Sequence, residues 1–194
     1  MKAIAWMIIF IAGTLGLNAQ QMPSGIIKGA MAPDFMAKDQ HGKTISLKDQ
    51  LMKGPVVLVF YRGQWCPYCN KALKQLEDSL PMIKAKGAGV IAVSPEVPEN
   101  VNKTVKKTGA TYPVLFDDGM KIMKQYDVAY DVDPKTIEKY KGYGIDFNTA
   151  NGSNGAHLPV PAVFVINKKG VVTYRHFDPD YKNRAAVSTI LAQL

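Results

Sequence analysis

Cysteine is scarce in this sequence, and the scarcity limits what its cysteines can do. The chain of 194 residues contains only Cys66 and Cys69, which two residues separate. So low a content excludes a disulfide-rich scaffold, and a chain of this length buries a core without bridges. A bridge that closes so short a loop adds little stability in the chain-entropy model, because that stabilisation grows with loop length. The pair therefore indicates chemistry rather than a structural clip.

Basic clusters, internal repeats, linkers and low-complexity tracts are also lacking. The net charge is +8, a balance that would suit nucleic acid or an anionic surface. The lysines are scattered, however, as at Lys103, Lys106 and Lys107, and no arginine-rich run occurs. We therefore expect a solvated basic surface and no nucleic-acid partner. With 47% hydrophobic and 21% charged residues, the composition is that of a globular protein.

A long apolar run occurs only at the N-terminus. Ile4 to Leu17 is uncharged and follows Met1-Lys2, and Leu17-Asn18-Ala19 supplies the small residues that a signal peptidase recognises. The run is shorter than the ~20 residues of a membrane-spanning helix, and no basic stop-transfer cluster follows it. No cysteine lies near the predicted cleavage site, so we do not expect a lipid anchor. We expect a signal peptide at residues 1–19, a single domain at 20–194, and an exported, periplasmic or otherwise extracytoplasmic protein without stable membrane insertion.

Strand and helix patterns alternate along the rest of the chain. Apolar β-branched runs predict strands at 56–61, 89–94, 112–116, 162–166 and 171–174, the last two joined by a hairpin turn. Apolar residues at three- and four-residue spacing predict helices at 69–83, 98–107, 120–126 and 183–194. Pro81 is expected to kink or end the first helix, and residues 127–157 to form a long polar loop. The order predicts an α/β fold with a central mixed β-sheet flanked by helices.

Cys66 lies between a predicted buried strand and a predicted helix. Unpaired N–H groups and the positive end of the helix dipole favour an anion there, and a thiolate is such an anion. In settings of this kind a thiol pKa falls from about 8.5 to roughly 3.5–7.5. Pro67 suits the first helical position because it has no N–H to lose. Cys69, one turn later, can attack a sulfur bound to Cys66. We expect Cys66 to react and Cys69 to resolve, as a redox-active dithiol without cofactor or metal.

The cysteine stretch and a later proline stretch carry a family resemblance. WCPYC after a strand resembles the thioredoxin fold, and LPVPAVFVINKKG, Leu158 to Gly170, is similar to its cis-proline loop and hairpin. KGAMAPDF, FYRGQWCPYCN and FDPDY resemble the peroxiredoxin-like branch of the alkyl hydroperoxide reductase/thiol-specific antioxidant superfamily, over nearly all of 20–194. The resemblance implies a thioredoxin-like fold and thiol-based reduction of a peroxide or a disulfide. It also implies a cis-proline beside the cysteines, which is Pro161 by position, with Pro159 as the weaker candidate.

The peroxiredoxin active site is incomplete in this sequence. Peroxiredoxins place Pro and Thr or Ser ahead of the peroxidatic cysteine, and a distant Arg completes the pocket. Aligned without gaps, Arg62 takes the Pro position, Cys66 the Thr position and Cys69 the peroxidatic position. Aligned on Cys-Pro, Cys66 is peroxidatic and Gly63 stands where Thr would be. Pro161 occupies the place of the distant Arg.

Three residues are the candidates for substrate binding. Pro161 would offer a flat surface beside the pair. Trp65 would shield the pair and offer an apolar contact face, or serve packing alone. Arg62 would present a guanidinium to the thiolate, or lie on the surface. Tyr140, Tyr143 and Phe147 would form a substrate-facing lip or anchor the long loop. No buried acid on the central helix can be identified as a proton acceptor.

Three functional hypotheses follow from these residues. The first is an exported peroxiredoxin-like peroxidase that reduces hydroperoxides through a Cys66/Cys69 cycle, recharged by thioredoxin or a similar thiol donor. The second is a thioredoxin-like reductase of protein disulfides. The third is not an enzyme but a thioredoxin-fold carrier that holds Cu(I) through both thiolates, with His157 as a candidate additional ligand.

Overall fold

The described part of this protein is residues 22–194 of a computed structural model. The predicted signal peptide, residues 1–19, lies outside the described residues and stays a prediction. Within residues 22–194, no helix is both long enough and apolar enough to cross a bilayer.

Nine strands and eight α-helices make up residues 22–194. The strands are β1 (Met36–Lys38), β2 (Thr44–Ser46), β3 (Val56–Phe60), β4 (Gly89–Ser94), β5 (Val114–Phe116), β6 (Ala129–Asp131), β7 (His157–Pro159), β8 (Ala162–Ile166) and β9 (Val172–Phe177). The helices are α1 (Leu47–Lys53), α2 (Pro67–Asp78), α3 (Leu80–Ala85), α4 (Pro98–Thr108), α5 (Lys121–Gln125), α6 (Pro134–Gly142), α7 (Phe147–Asn151) and α8 (Val187–Ala192). Short 3₁₀ turns at Asp118–Met120 and Gly152–Asn154 precede α5 and follow α7.

The central sheet has five strands in the order β5-β4-β3-β8-β9. Strands β3, β4 and β5 are parallel, whereas β8 runs antiparallel to both β3 and β9. The predicted α/β architecture with a mixed sheet is therefore confirmed. Phe60 pairs with Val93 on one side and Ala162 on the other, so the segments after β3 and before β8 meet at one end of the sheet.

The side chains of β3 alternate between two hydrophobic cores. Val57 and Val59 pack in the core that α2, α4 and α8 cover, and Leu58 and Phe60 pack in the opposite core beneath α1 and α5. All five residues of β3 are buried, because both faces of the sheet carry helices. This two-sided burial is the reason that the strand is an unbroken apolar run.

Helix ends follow the proline and glycine signals with one exception. Helix α2 ends at Asp78, and Pro81 lies in the first turn of α3, so the predicted interruption is confirmed. Helix α4 ends at Gly109, whose φ of +72° is costly for other residues. The last helix is shorter than predicted, because residues before Val187 belong to a loop that reaches the cysteines. Tertiary contacts of that loop override the local helix pattern.

Residues 127–157 form an ordered subdomain and not the predicted long loop, so that prediction is wrong. Strands β6 and β7 pair, and α6 and α7 lie between them. The subdomain has a small core of its own, centred on Val132, Phe147 and Leu158. These residues are far apart in sequence, so no periodic apolar pattern predicts that they form a core. Asp133 and Asp146 begin the helices by accepting backbone N–H groups, in the manner of N-caps.

Asn154 joins this subdomain to the main sheet. Its Nδ2 donates to the carbonyls of Pro95 at 2.8 Å and Asp117 at 2.9 Å, and its Oδ1 accepts the Gly119 N–H at 2.9 Å. The side chain is buried, and its hydrogen bonds to the Pro95 and Asp117 carbonyls are buried with it.

We predict that Asn154→Ala lowers the free energy of unfolding by about 1–3 kcal/mol, because it removes three hydrogen bonds made by a buried side chain. Urea denaturation measures the change. Asn148→Ala on the exposed face of α7 is the matched control, and we expect it to stay within about 0.5 kcal/mol of the wild type. Equal stability of the two variants would contradict the proposed connection.

Candidate active site

Cys66 and Cys69 lie at the start of α2, directly after the central strand. Cys66 is the N-cap residue, its Sγ accepts the Cys69 N–H at 3.3 Å, and Pro67 occupies the first turn. The two sulfurs are joined as a disulfide, with their Cα atoms 5.3 Å apart. Both residues are almost wholly buried. The placement between strand and helix agrees with the sequence prediction, and the positive end of α2 points at the sulfurs.

Arg184 brings a cation to both sulfurs, and sequence reasoning missed it. Its Nη2 lies 3.2 Å from Cys69 Sγ and 3.9 Å from Cys66 Sγ. Burial, and then the charge of Arg62, lower the pKa of Arg184 to about 10, so it remains a cation at neutral pH. A distant arginine thus completes the site from the loop between β9 and α8. The one feature of the sequence that could have indicated Arg184 is the scarcity of arginine, since only three of the 24 basic residues are arginines.

The turn before Arg184 fixes that loop. Asp178 accepts the Asp180 N–H at 2.8 Å and the Asn183 Nδ2 at 3.0 Å, while Asp180 accepts the Lys182 N–H at 3.0 Å. The acids of FDPDY therefore form a turn that positions the arginine.

Arg62 is buried, so the interpretation as a surface arginine is wrong. Its side chain is only 3% exposed, and its guanidinium carbon lies 4.9 Å from the ring centroid of Trp65, 5.3 Å from Tyr140 and 4.2 Å from Tyr181. Nη2 donates to the Tyr140 hydroxyl. The guanidinium is thus held in an aromatic cage by cation–π contacts.

An open cleft of about 540 Å³ begins at Cys66. Arg62 and Trp65 form part of its wall, and Tyr140 of α6 and Tyr143, which follows α6, face them. The edge of the Trp65 ring meets Tyr140 at 5.3 Å between centroids. The two tyrosines therefore line the cleft, whereas Phe147 is buried in the small core of the subdomain, and Trp65 both packs and faces the cleft.

Pro161 does not have the expected cis peptide bond. Every peptide bond within residues 22–194 is trans, including those before Pro159 and Pro161. The physical reason lies in the extended path of the chain, since β7 pairs with β6 and Val160 N–H donates to the Val128 carbonyl at 2.8 Å before β8 begins. Pro161 is buried, and it lines a small hollow together with Arg184. Its role in substrate binding stays a prediction.

Glu96 is a buried acid next to the cysteine loop, and sequence reasoning missed it as well. The residue has no exposed surface, and its Oε2 accepts the Gln64 N–H at 2.7 Å. Burial raises the pKa of Glu96 to about 8, against the hydrogen bond from Gln64 and the charges of Lys107 and Lys103. Glu96 follows β4 and does not lie on the central helix, so the apolar pattern of that helix gives no indication of it.

Gly63 is where Glu96 and Trp65 meet. A Cβ at position 63 would lie 2.5 Å from Trp65 Nε1 and 2.7 Å from Glu96 Oε1. The two polar atoms have no hydrogen-bond partner among the described residues. Only glycine fits between them, which explains why no threonine stands there.

His157 is engaged inside the subdomain of residues 127–157. Its Nε2 lies 2.5 Å from Asp131 Oδ1, and its Nδ1 lies 2.6 Å from the Asn154 carbonyl. A copper ion would have to displace both contacts. Residues 22–194 contain no cluster of three or more His, Cys, Asp or Glu side chains suited to a metal ion.

Comparison with known proteins assigns the family. The model of the AhpC/TSA family matches residues 28–175. The chain belongs to the AhpC/TSA family. The recognition of a peroxiredoxin-like member of this superfamily is therefore confirmed, and so is the expectation of a thiol-based oxidoreductase at the level of the family.

Relatives of two kinds resemble this AhpC/TSA chain. It is 33% identical over 159 residues to chloroplastic peroxiredoxin Q of Triticum aestivum, covering 80% of the chain and 62% of that protein. It is 35% identical over 122 residues to the thiol-disulfide oxidoreductase ResA of Bacillus cereus, covering 59% of the chain and 69% of that protein. The match thus spans less than two thirds of the length of the first relative, so the activity of that whole protein is not attributed to this chain.

Solved structures confirm the thioredoxin-like fold of this AhpC/TSA protein. Peroxidoxin BcpB of Mycobacterium tuberculosis superposes with a TM-score of 0.67 at 21% identity, covering 89% of this chain and 96% of that one. The thioredoxin domain of a thiol-disulfide oxidoreductase from Bacteroides vulgatus superposes with a TM-score of 0.55 at 17% identity, covering 81% and 93%. At these identities the likeness shows the fold alone.

We predict that Arg184→Gln weakens the anionic form of the reduced cysteines. The pH midpoint of thiolate formation should rise by about one unit, since an opposite charge within a few ångströms favours an anion by that amount or more. Ultraviolet thiolate absorbance across pH measures the midpoint. Arg175→Gln is the matched control, because Arg175 contacts Ser24 and Phe177 instead. Equal midpoints in both variants would show that Arg184 does not act on the sulfurs.

We predict that Glu96 makes the AhpC/TSA fold less stable as pH rises. The carboxyl ionises near pH 4.5 when unfolded but near 8 when folded, so unfolding releases a proton between these values. Stability from this group therefore falls across that window. Glu96→Gln removes the dependence, and the melting temperature of the wild type relative to the variant should fall by a few degrees from pH 5 to pH 8. Glu99→Gln, on the exposed side of α4, should show no such trend.

Proposed function

We propose that this AhpC/TSA protein is an exported, thiol-dependent peroxidase. It reduces hydroperoxides through a Cys66/Cys69 dithiol–disulfide cycle, recharged by thioredoxin or a similar thiol donor. The observation that carries the proposal is the guanidinium of Arg184 within 3.9 Å of both sulfurs, at a site where Cys66 opens onto a cleft. A cation beside a sulfur stabilises both the attacking thiolate and the charge that develops on the peroxide oxygens.

The catalytic cycle needs no cofactor. The Cys66 thiolate attacks the terminal oxygen of ROOH, the O–O bond breaks, and the alkoxide takes a proton to leave as ROH. Cys66 is then a sulfenic acid. The Cys69 thiol attacks the Cys66 sulfur, its proton leaves with the hydroxyl as water, and the disulfide forms. A donor dithiol reduces this disulfide by exchange and becomes a disulfide itself.

Cys66 is assigned the attack because it lines the cleft and caps α2. Cys69 is fully buried one turn later, where it reaches the Cys66 sulfur and not the solvent. The shorter distance from Arg184 to Cys69 favours the opposite assignment, which is also that of the ungapped alignment. The two assignments make different predictions for single mutants.

Reduction of protein disulfides is the second candidate. The 35% identity to a thiol-disulfide oxidoreductase supports it, and so does the absence of a hydroxyl at Gly63. Loss of one donor to a developing oxyanion costs about 10²–10³ in rate, which would slow a peroxidase but leave thiol exchange unaffected. The Cu(I) carrier is not favoured, because both ring nitrogens of His157 are already engaged.

Export is the remaining part of the proposal. It rests on the uncharged apolar run from Ile4 to Leu17 and the small residues after it. An extracytoplasmic location would place the dithiol in an oxidising compartment, where a dedicated reductant must keep it active.

We predict that Cys66→Ser abolishes hydroperoxide turnover with dithiothreitol or thioredoxin as donor, because the attacking sulfur is lost. Cys69→Ser should still react once per molecule and then accumulate sulfenic acid or mixed disulfides, which mass spectrometry detects. Wild-type thiols should be lost and regenerated through many cycles with hydrogen peroxide and cumene hydroperoxide.

Three results would count against parts of this account. Turnover that survives in Cys66→Ser and vanishes in Cys69→Ser would exchange the two roles. Stoichiometric oxidation without turnover, together with rapid reduction of insulin disulfides, would favour the disulfide reductase. Full peroxidase activity in Cys66→Ser/Cys69→Ser would remove both sulfurs from the mechanism.

A further inference from the structure

The cleft beside Cys66 carries positive charge and no acid. Arg62 lies in its wall, and Lys139 of α6 lies at its rim. Among the described residues that line the cleft, none is an aspartate or a glutamate. A cleft lined by charges of one sign attracts ligands of the opposite sign.

Arg62 has no anion to balance its charge. It is 3% exposed, its Nε has no hydrogen-bond partner, and the ion pairs found within residues 22–194 do not include it. A buried charge without an ion-pair partner is destabilising. The aromatic cage offsets part of that cost, and an anionic ligand would supply the missing charge.

The sulfurs do not use Arg62 in the way that they use Arg184. Arg184 makes both hydrogen-bond contacts that the structure shows between arginine and sulfur within residues 22–194. The hydrogen bond of Arg62 goes to Tyr140 instead. One arginine therefore serves the reacting sulfurs, and the other faces the cleft.

Aromatic rings surround the free guanidinium. Trp65, Tyr140 and Tyr181 contact it, and Tyr68 and Tyr143 extend the wall. The Tyr140 hydroxyl accepts a hydrogen bond from Arg62, so its own proton is available to a ligand oxygen. The volume of about 540 Å³ is in the range of organic ligands and far exceeds the needs of hydrogen peroxide.

We infer that Arg62 binds the carboxylate of an organic hydroperoxide whose apolar body lies on this aromatic wall. The guanidinium and the Tyr140 hydroxyl donate to the carboxylate, and Lys139 attracts it from the rim. The inference deepens the proposed peroxidase function and rests on it for the identity of the oxidant. The binding site itself is testable without any turnover.

The binding experiment uses the oxidised full chain and two unreactive probes, 4-isopropylbenzoate and 4-isopropylbenzyl alcohol. Isothermal titration calorimetry should show that the acid binds at least ten-fold more tightly than the alcohol. Arg62→Met should abolish that preference, whereas Arg62→Lys should restore part of it through its charge. Equal affinity of the wild type for both probes overturns the inference.

A second pair of variants keeps the test valid if Arg62→Met does not fold. Lys139→Met at the exposed rim should weaken binding of the acid two- to five-fold and leave the alcohol unchanged. Lys135→Met, an exposed lysine on α6 outside the cleft wall, is the matched control and should have no effect. Identical behaviour of the two lysine variants counts against the inference.

The activity experiment compares cumene hydroperoxide with its para-carboxylate derivative. The wild type should show a higher kcat/KM for the carboxylate than for cumene hydroperoxide, and Arg62→Met should lower the ratio of these two values to about one. A uniform loss for all peroxides, with a raised pH midpoint of thiolate formation, would mean that Arg62 serves the sulfur and overturns the inference.

The two experiments separate the two proposals. Selective binding of 4-isopropylbenzoate without turnover of any peroxide would refute the peroxidase and leave the carboxylate site standing. Turnover of both cumene peroxides at equal rates, without selective binding, would refute the carboxylate site and leave the peroxidase standing.

Discussion

One guanidinium against two sulfurs sets the chemistry of this site. Arg184 lies 3.2 Å from Cys69 Sγ and 3.9 Å from Cys66 Sγ, and the start of α2 adds the positive end of its dipole. When the disulfide opens, whichever sulfur is released as an anion meets both charges. Their effect is strong because the site is buried, where water screens charges less. The contact between Arg184 and the sulfurs depends on the sheet topology. Strand β8 is antiparallel to β3 and to β9, and the loop that follows β9 places Arg184 beside α2.

In the proposed function, substrate recognition and sulfur chemistry would be carried by different parts of the chain. The sheet, α2 and the Arg184 loop hold the sulfurs, whereas the subdomain of residues 127–157 supplies the far wall of the cleft. Trp65 links the two, because it packs against both the α2 core and the core around Phe147. Changes in the subdomain can therefore alter which substrate enters without moving the reacting groups. A core of only three buried residues adds little stability to the subdomain. The hydrogen bonds of Asn154 to the main sheet are therefore important for its stability.

Sequence patterns predicted the parts of this fold that local physics determines. The strands are continuous apolar runs because both faces of the sheet are covered, and Pro81 and Gly109 act on helix ends through their own backbones. Cys66 was placed correctly because a strand–Cys-Pro–helix junction is a local feature. Arg184, Glu96 and the burial of Arg62 could not be found in this way. Each acquires its role from a partner far along the chain, at separations of 118 residues for Arg184 and Cys66 and 32 for Glu96 and Gln64. The order in residues 127–157 was missed for the same reason.

The incomplete peroxiredoxin pocket follows from the packing around Gly63. A side chain at this position would enter the space between Trp65 Nε1 and Glu96 Oε1, less than 3 Å from each. Restoring a threonine by a single substitution would therefore not rebuild a hydroxyl donor, because it would displace Trp65 from the cleft wall. It would also disturb Glu96, which fixes the loop before Cys66 through the Gln64 N–H. The missing hydroxyl, the buried acid and the aromatic wall are thus one arrangement. In the proposed peroxidase, a developing oxyanion would have to be stabilised from elsewhere, and Arg184 is the cation that lies within reach of both sulfurs.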